Sequence, residues 1–372
     1  MELKLLNSLA DVSRQQWNTL VGDYPFLRHE FLSALHDSGC ASAQTGWKPL
    51  YLGLWRDGSL AGAMPLYLKT HSRGEFVFDQ QWANAFEMHG VAYYPKLLCA
   101  APFTPVSGPR LLAHNDADRR YLAQGAVDLA GRLGLSSLHI LFPNEADRQV
   151  LQRMGFMLRE GIQFHWRNTG YASFEAFLSE LNHDKRKKIR QERRRAHEAG
   201  LSFRWLHGAD ISGQQLEFFH RCYVNTYQAH WSKPYLSLEF FRTLVQVMPK
   251  NLMWVMAVRG NDPVACAMNV IGGGTLYGRY WGATEFVSGL HFETCYSQAI
   301  EYCISQGLQV FEGGAQGMHK MARGLLPTPT WSAHWIADSR FAEAIARFLR
   351  DETSGIEHCL EELEHHTPFK KV

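Results

Sequence analysis

The feature that most constrains the fold of this 372-residue chain is a weak internal repeat. In the first half, a strand over Leu50–Trp55 and a polar turn lead into a returning strand, Leu60–Leu68, which begins LAGAM. In the second half, Met253–Val258 and a turn lead into Val264–Ile271, which begins VACAM. Each pair is typical of an antiparallel hairpin, because a turn rich in Gly, Asp, Asn or Pro separates two apolar runs. Two tandem copies of one unit predict a chain of two related domains.

The later parts of the two halves match as well. In each half an amphipathic helix, predicted over Asp116–Leu133 and about His291–Ser305, precedes a second apolar strand. A right-handed crossover through such a helix places the second strand parallel to the strand before the helix. A His-Trp dipeptide then closes each half, at 165–166 and at 334–335. The residues therefore predict an α/β fold with mixed sheets, built twice.

The boundary between the halves is expected near residue 169. A first domain over 1–168 would then be followed by a second domain over 169–372. The second domain would carry a basic helix over 184–199, ended by Gly200, and an amphipathic C-terminal helix over Phe341–Leu363.

The composition indicates a globular protein of a reducing compartment. Aromatic residues make up 13% of the chain, and seven cysteines include no C-x-x-C pair, which favours free thiols. The N-terminal sequence lacks the basic and apolar regions of a signal peptide. No apolar run approaches the roughly 18 residues that a membrane span needs. We therefore expect a cytoplasmic protein, with any membrane contact peripheral and at the inner face.

Positive charge is concentrated in one segment. DKRKKIRQERRRAHE, from Asp184 to Glu198, holds eight Lys or Arg and three Asp or Glu, although the net charge of the whole chain is only +2. Such a helix could contact the phosphates of a tRNA or anionic lipid head groups. It could also be a solvated helix supported by pairs such as Lys188–Glu192. We favour binding, because unused charge repels itself. The candidate contacts are Lys185, Arg186, Lys188, Arg190, Arg193 and Arg194.

Four stretches together resemble a known family. They are YYPKLLCAAPFTPVSGPRLL (Tyr93–Leu112), KRKKIRQERR (Lys185–Arg194), GLHFETCYSQAIEYC (Gly289–Cys303) and FEGGAQGMHKMARGLLPTPTWSAHW (Phe311–Trp335). The chain resembles a bacterial family of predicted N-acyltransferases, grouped with the Fem-type transferases that build peptidoglycan cross-bridges. The resemblance implies two tandem domains of the GNAT acetyltransferase fold. It also implies transfer of an acyl or aminoacyl group to an amine, with a cell-wall precursor among the candidate acceptors.

The donor of the acyl group stays open. GNAT acetyltransferases usually cradle the coenzyme A pyrophosphate with an R/Q-x-x-G-x-G/A loop at a helix start. The corresponding stretch here offers Gly282, Ser288 and Gly289 as cofactor contacts, but with another spacing. Fem-type enzymes take aminoacyl-tRNA and lack that loop. We expect no permanently bound cofactor, and either acyl-CoA or aminoacyl-tRNA as co-substrate.

The best candidate for chemistry is the segment Phe311–Arg323. It places Glu312 at a strand end and His319 behind a glycine-rich turn, and either side chain could remove a proton from an ammonium before it attacks a carbonyl. A loop with a solvated charged face is the alternative. The residues of this segment expected to contact substrate are Gln316, Lys320 and Arg323, the last two as partners for a carboxylate or phosphate.

Further candidates surround the predicted crossover helix. Tyr280, in the strand before it, could hydrogen-bond the carbonyl or protonate a leaving group, although packing is an alternative. His291 and Glu293 lie at the helix start, where a carboxylate either caps the helix or contacts substrate. Because parallel strands joined by a crossover open on one edge, we expect one shared cleft. Its expected members are Glu312, His319, Arg323, Glu293 and Tyr280. Arg110, in a proline-rich loop of the first domain, is a candidate for substrate binding.

The sequence thus predicts an N-acyltransferase whose oligomeric state is open. The alternative is a non-catalytic protein that binds tRNA, a membrane or a peptidoglycan precursor on the same scaffold. No metal site is predicted, because none of the 18 histidines lies in an H-E-x-x-H motif or a Cys/His cluster.

Overall fold

Strands and helices alternate along residues 1–314, 317–365 and 367–370, the part of the chain that the computed structural model describes. The strands are β1 (Glu2–Leu6), β2 (Trp47–Pro49), β3 (Tyr51–Arg56), β4 (Ser59–Met64), β5 (Leu66–Lys69), β6 (Lys96–Cys99), β7 (Leu112–Ala113), β8 (Ser137–Leu141), β9 (Met157–Arg167), β10 (Leu201–His207), β11 (Leu252–Arg259), β12 (Asp262–Gly272), β13 (Thr275–Ala283), β14 (Val310–Glu312) and β15 (Leu326–Ile336). The helices are α1 (Arg14–Val21), α2 (His29–Asp37), α3 (Gln80–Met88), α4 (Asp116–Arg132), α5 (Glu145–Arg153), α6 (Phe174–Glu180), α7 (His183–Glu198), α8 (Gly213–Ala229), α9 (Leu238–Val247), α10 (Leu290–Phe292), α11 (Gln298–Gln306) and α12 (Ser339–His365).

The chain divides into two units whose limits differ from the predicted boundary. The first unit comprises Met1–Ile162 and Pro329–Cys359, and the second comprises Gln163–Thr328 and Leu360–Val372. The sequence boundary at 168 and 169 did not anticipate this exchange. Its physical reason is strand pairing, since the end of β15 pairs antiparallel with β8, and the end of β9 pairs antiparallel with β14.

In the first unit, β1, β3, β4 and β7 form an antiparallel sheet in that order. The neighbouring strands β2, β5 and β6 are antiparallel, and β6 runs parallel to β8. Helix α4 makes the crossover before β8, and its side chain Leu122 belongs to the same buried cluster as Leu52 and Met64. The crossover predicted over Asp116–Leu133 is therefore present.

In the second unit the strand order is β10, β11, β12, β13, β14 and then the end of β9. The first four strands are antiparallel neighbours, whereas β13 and β14 are parallel. The crossover between them is one continuous helical stretch, α10, a π-helical turn over Glu293–Ser297, and α11. A left-handed residue, Gly307, ends α11 with φ of 66°.

The predicted repeat is confirmed at the level of strand register. In the first unit, Arg56 pairs with Ser59 and a bulge follows between Leu54 and Trp55. In the second unit, Arg259 pairs with Asp262 and the bulge lies between Ala257 and Val258. LAGAM and VACAM thus lie in equivalent strands, β4 and β12, of two units with mixed α/β sheets.

The first unit contains a buried cluster of charged side chains that no sequence motif predicts. Lys96 is fully buried, and its Nζ donates to Glu75 (2.8 Å) and to Asp79. Although burial opposes both effects, the two carboxylates raise the pKa of Lys96, and Lys96 holds the pKa of Asp79 well below its usual range. Tyr93 Oη donates to Asp79 (2.6 Å) and lies 3.0 Å from His139 Nε2. Every member of this cluster lies within the first unit.

Among the described residues, no helix has the length and apolar character needed to cross a membrane. The six cysteines whose side chains the structure describes are free thiols.

Candidate active site

The parallel strands β13 and β14 of the second unit stay paired for only three residues each. Thr275–Tyr277 pairs with Val310–Glu312, and beyond that point β13 continues to Ala283 while β14 ends. The strands therefore diverge, and a cleft of about 140 Å³ opens between them. The residues that matter to its chemistry are the β13 segment 278–281, Gly313 and Gly314, and, from the crossover helix, His291, Cys295 and Tyr296.

A β-bulge shapes one wall of this cleft. Asn269 of β12 pairs with Gly278, and the preceding Met268 pairs with Tyr280, so Arg279 is the extra residue of the bulge. A bulge re-aims the side chains that follow it. Tyr280 accordingly packs against Tyr223 of α8, with ring centroids 5.1 Å apart, whereas the next residue, Trp281, packs against His291, 4.7 Å away.

The side chains that line the cleft lie on both faces of the sheet. Phe311 of β14 packs against Tyr296 on the crossover-helix face, with ring centroids 6.4 Å apart. Successive side chains of a strand point to opposite faces, so Glu312 belongs to the α8 face. Tyr280 lies on that same face. Of the five residues expected in one cleft, Tyr280 and Glu312 are thus brought to one face, and His319 lies on the other.

Glu312 is a buried carboxyl with few partners. It is 9% exposed, and its Oε1 lies 3.9 Å from His165 Nε2. Among the described residues, no hydrogen-bond donor reaches Oε2. Burial raises the pKa of the Glu312 carboxyl to about 8, against the opposing effect of the Arg279 guanidinium. A carboxyl whose pKa lies near physiological pH beside a cleft is suited to proton transfer.

His165, which faces Glu312 across the strand pair, is neutral. Burial, with the Arg167 and Lys320 charges nearby, lowers the pKa of His165 to about 4. The pair is therefore a neutral imidazole beside a carboxyl that takes up a proton near pH 8, and not a salt bridge. Gln163 Oε1, 3.3 Å from His165 Nε2, completes this buried polar group.

The crossover-helix face carries two further histidines. His319 is exposed, and its Nε2 lies 3.2 Å from Tyr296 Oη. Burial, followed by the Arg323 and Lys320 charges, lowers the pKa of His319, and burial lowers that of His291 to about 4. Both rings are therefore neutral at physiological pH. No contact joins His319 to Glu312 among the described residues, so the expected pairing of imidazole and carboxylate is not formed.

Lys320 and Arg323 were expected to hold an anionic substrate, but the structure gives both internal partners. Lys320 is 2% exposed and donates from Nζ to the carbonyl of Gly314 (2.7 Å). Arg323 donates to Glu192 of α7 (2.6 Å) and lies over the ring of Phe292. Burial lowers the pKa of Lys320 to about 8. Lys320 therefore anchors the loop that forms one cleft wall, and Arg323 ties that loop to α7.

Glu293 also differs from its expected role. It is fully buried in the π-helical turn, accepts from Gln298 Nε2 (2.7 Å), and lies 3.3 Å from Arg193 Nε of α7. It neither lines the cleft nor caps the helix start, because its carboxylate is directed to α7. A π-helical turn often marks a functional site, and here it belongs to the helix that carries His291 and Cys295. Burial raises the pKa of the Cys295 thiol, which favours its protonated form.

The glycines expected to bind a cofactor have packing roles. A Cβ at Gly282 would collide with the carbonyl of Cys222 in α8, and one at Gly289 would lie 2.5 Å from the carbonyl of Glu192 in α7. Gly289 also adopts a left-handed φ of 86°. Ser288, between them in sequence, is exposed in a turn. These glycines let α7 and α8 approach the two ends of the segment over which the GNAT loop was sought.

Arg110 of the first unit is not available to a substrate. It is fully buried, and it donates to the carbonyls of Leu141 (2.7 Å) and Val106 (2.7 Å). The chain at 106–110 thus fills the space beside the end of β8, where Gly108 also bonds Phe142.

The predicted contact residues of the basic helix α7 differ in how far they are exposed to solvent. Lys188, Arg190 and Arg194 are exposed, whereas Lys185, Arg186 and Arg193 are half-buried. Arg193 bonds Glu301 (2.7 Å) and Arg190 bonds Glu175 (2.6 Å). The expected Lys188–Glu192 pair is replaced by the pair of Glu192 with Arg323. Lys187 and Arg195 are exposed as well.

Several residues of the cleft are not predicted by any sequence pattern, and Gln316 lies outside the described residues. Arg279, Trp281 and Asn269 are the main omissions. The bulge between β12 and β13 directs these residues to the cleft, and no residue pattern in the two strands predicts that bulge. The described residues contain no group of three or more His, Cys, Asp or Glu side chains placed to hold a metal ion.

Comparisons with solved structures show the fold. The chain is similar to FemX, with 12% identity, 93% of this chain and 100% of that chain covered, and a TM-score of 0.57. It is similar to L-PGS from Bacillus licheniformis, with 10% identity, 86% and 95% covered, and a TM-score of 0.53. A conserved protein of unknown function from Bacteroides thetaiotaomicron gives 10% identity, 91% and 100% covered, and a TM-score of 0.55. No curated protein matches the sequence.

A family model described as peptidoglycan biosynthesis/recognition matches residues 8–371. Since this match spans nearly the whole chain, the protein belongs to the FemAB-like family.

Proposed function

We propose that the protein is an N-acyltransferase that moves an acyl or aminoacyl group from an activated donor to an amine within the β13/β14 cleft. The observation that carries the proposal is the cleft between the diverging strands, together with the high-pKa carboxyl of Glu312, which is next in sequence to the cleft residue Gly313. The family description, peptidoglycan biosynthesis/recognition, supports a cell-wall precursor as the acceptor.

The two faces suit two substrates. Helix α7 packs on the crossover-helix face, because Gly289 lies against the Glu192 backbone and Glu293 against Arg193. We assign the donor to this face and the amine acceptor to the α8 face, where Glu312 and Tyr280 lie. The acyl carbonyl would then be positioned between the diverging strands, within reach of the amine from the other side.

In the transfer step, the deprotonated amine attacks the acyl carbonyl and forms the new C–N bond. The carboxylate form of Glu312 accepts the ammonium proton, directly or through one water. Backbone N–H groups of the β13 segment 278–281 stabilise the oxyanion of the tetrahedral intermediate. Collapse of the intermediate breaks the bond to the donor's oxygen or sulfur, which leaves with the second proton that the attacking nitrogen gives up as it becomes the amide nitrogen. No covalent enzyme intermediate is needed.

Aminoacyl-tRNA is the donor that the surface of α7 favours. The helix packs beside the donor face of the cleft and exposes Lys187, Lys188, Arg194 and Arg195 to solvent. Phosphate contacts supply most of the sequence-independent affinity for nucleic acid. Gly282 and Gly289 flank the turn over 284–289 and pack against α8 and α7, respectively. Because both glycines are used in packing, the turn does not resemble the glycine loop that binds the coenzyme A pyrophosphate.

The proposal is tested by supplying both donor classes. Purified protein is incubated with a muramoyl-pentapeptide precursor and either a mixed bacterial aminoacyl-tRNA preparation, ¹⁴C-labelled in its amino acids, or ¹⁴C-acetyl-CoA. Amide-linked label in the precursor is the expected result with the tRNA donors. Transfer from acetyl-CoA alone would overturn the donor assignment. Tight binding of the precursor with no transfer from either donor would instead support the non-catalytic alternative.

Charge reversal on α7 should separate donor binding from chemistry. The triple variant Lys188→Glu, Arg194→Glu and Arg195→Glu is expected to weaken tRNA binding at least 100-fold at 50 mM salt and to reduce its salt dependence. The side chains are exposed, so the melting temperature should change little.

The matched control reverses basic residues elsewhere on the second unit, Arg221→Glu, Arg242→Glu and Lys250→Glu, with the same change in charge. Filter binding of uncharged tRNA measures both variants. Equal loss of affinity in both would mean that net charge matters and the α7 surface does not.

A further inference from the structure

Two aromatic side chains of the second unit are almost completely exposed. Trp231 is 99% exposed and Phe286 is 95% exposed. Single apolar residues on a surface are ordinary, but a Trp and a Phe that are both almost wholly exposed on loops leave a large apolar area in water. Neither residue has a part in the proposed transfer chemistry.

Trp231 is held at its tip by a defined turn. It lies two residues after the end of α8 and adopts a left-handed φ of 53°, which is rare for a bulky side chain. Its backbone N–H donates to Gln228, and Ser232 donates to Tyr227 through both its backbone and its hydroxyl (3.0 and 3.1 Å). The indole therefore projects from a fixed position.

Phe286 is also placed on an anchored loop. It lies between the end of β13 and the start of α10, in the turn over 284–289. Glu285 beside it pairs with Arg259 of the β11/β12 hairpin (2.6 Å), and Gly289 packs on α7. The phenyl ring thus projects from a loop fixed at both ends.

The strand that leads to Phe286 ends at one edge of the sheet. Leu201 pairs with Arg259, and Ala265 pairs with Ala283, so the start of β10 and the end of β13 meet at this edge. The C-terminal half of α8 packs on the end of β13, since Thr226 Oγ1 donates to the Trp281 carbonyl (2.8 Å).

A surface depression connects α8 with the chain after β13. It measures about 470 Å³ and is lined by Arg221, Asn225 and Gln228 of α8 and by Thr284. Gln228 lies three residues before Trp231 and Thr284 two residues before Phe286, so both aromatic residues follow closely on residues of this depression. The exposed Lys233 follows Trp231 by two residues, and the exposed Arg194 and Arg195 lie near the C-terminal end of α7 at the same edge.

We propose that this edge of the second unit is a docking surface for an anionic lipid bilayer, with Trp231 and Phe286 inserted at the interface. Aromatic side chains favour the head-group region of a membrane, and basic residues beside them attract anionic lipids. Stacking of RNA bases fits less well, because a stacking platform rests one ring face on the protein. The Trp231 side chain is 99% exposed, so it has almost no contact with the rest of the protein. Insertion into a bilayer would bury its whole surface.

The test uses the full chain and vesicles of defined composition. Wild-type protein should co-sediment with 3:1 phosphatidylcholine–phosphatidylglycerol vesicles at low salt, and more weakly with pure phosphatidylcholine. The double variant Trp231→Ala and Phe286→Ala is expected to lower the partition coefficient at least 10-fold. The control variant Phe78→Ala and Met88→Ala removes exposed apolar side chains of the first unit and should bind as the wild type does.

A second measurement reports insertion directly. An environment-sensitive fluorophore on Cys in a Trp231→Cys variant should shift to the blue when anionic vesicles are added, and the same label in a Phe78→Cys variant should not. Vesicle binding that is equal in wild type and double variant would overturn the proposal. So would a double variant that loses affinity for tRNA but not for vesicles. The double variant should transfer acyl groups between soluble substrates at the wild-type rate. A loss of vesicle binding can therefore be distinguished from a loss of the proposed transferase activity.

Discussion

Replacement of Glu312 by Gln is expected to lower the kcat of acyl transfer by about 10²–10⁴-fold, the usual contribution of a general base. The amide keeps the size of the side chain but cannot accept the ammonium proton. Because Glu312 lies on the acceptor face, affinity for tRNA should be unchanged. Single-turnover transfer and filter binding measure the two quantities on the same preparation.

The control for this variant is Glu293→Gln, which changes another buried carboxylate of the second unit. Glu293 contacts Arg193 and Gln298 and does not line the cleft, so its replacement should affect stability more than kcat. A Glu312→Gln enzyme with at least a third of the wild-type kcat would remove Glu312 from the chemistry.

The pH dependence follows from the same carboxyl. Burial raises the pKa of Glu312 to about 8, and only the deprotonated form is a base, so the wild-type rate should rise with pH through about 8. The folded protein holds this proton while the unfolded chain, with a pKa near 4.5, releases it. The contribution of Glu312 to stability is therefore fully present below pH 4.5 and is lost as pH rises through about 8. Both dependences should be absent in Glu312→Gln.

Replacement of Lys96 by Met is expected to destabilise the first unit by about 3–5 kcal/mol, because it leaves buried carboxylates without their cation. Lys96 is fully buried between Glu75 and Asp79, and burial already raises the pKa of Glu75. Guanidinium unfolding, followed by circular dichroism, measures the loss.

Two further variants make this test specific. Glu75→Gln and Asp79→Asn added to Lys96→Met should restore part of the stability, since no buried charge is then unpaired. Arg242→Met removes an exposed pair with Glu239 and should cost less than about 1 kcal/mol. A loss below 1 kcal/mol for Lys96→Met would contradict the description of this cluster as a stabilising ion group.

Local sequence patterns predicted much of the fold. They predicted the hairpin whose second strand contains VACAM, the crossover helix before β14 and the helix α7. Each of these elements is specified by turn residues or by helical periodicity within about 20 residues. The exchange of the last strands was not recognisable. The pairing of His334 with His139, and of His165 with Glu312, joins residues more than 140 positions apart, and no local pattern encodes it.

The site was harder to predict than the fold for a related reason. Glu312 and Tyr280 reach one face only because the bulge at Arg279 reverses the alternation of β13. In the sequence, Arg323 and Glu293 are charged groups without an evident partner, which suggested contact with a substrate. In the structure, Arg323 pairs with Glu192 of α7 and Glu293 pairs with Arg193 of α7. Contacts between α7 and the crossover helix are tertiary, so the sequence could supply the charges but not their partners.

We expect acyl transfer to take place between the diverging strands β13 and β14. A crystal structure with a stable aminoacyl-adenosine analogue, in which an amide replaces the ester, tests it most directly. We expect the acyl group between the β13 segment 278–281 and Gly313–Gly314, the adenosine on the α10 side, and Glu312 within reach of the acyl carbon through one water. An analogue bound elsewhere, with this cleft empty, or an acyl group on the side opposite Glu312 with no passage to it, would contradict the account.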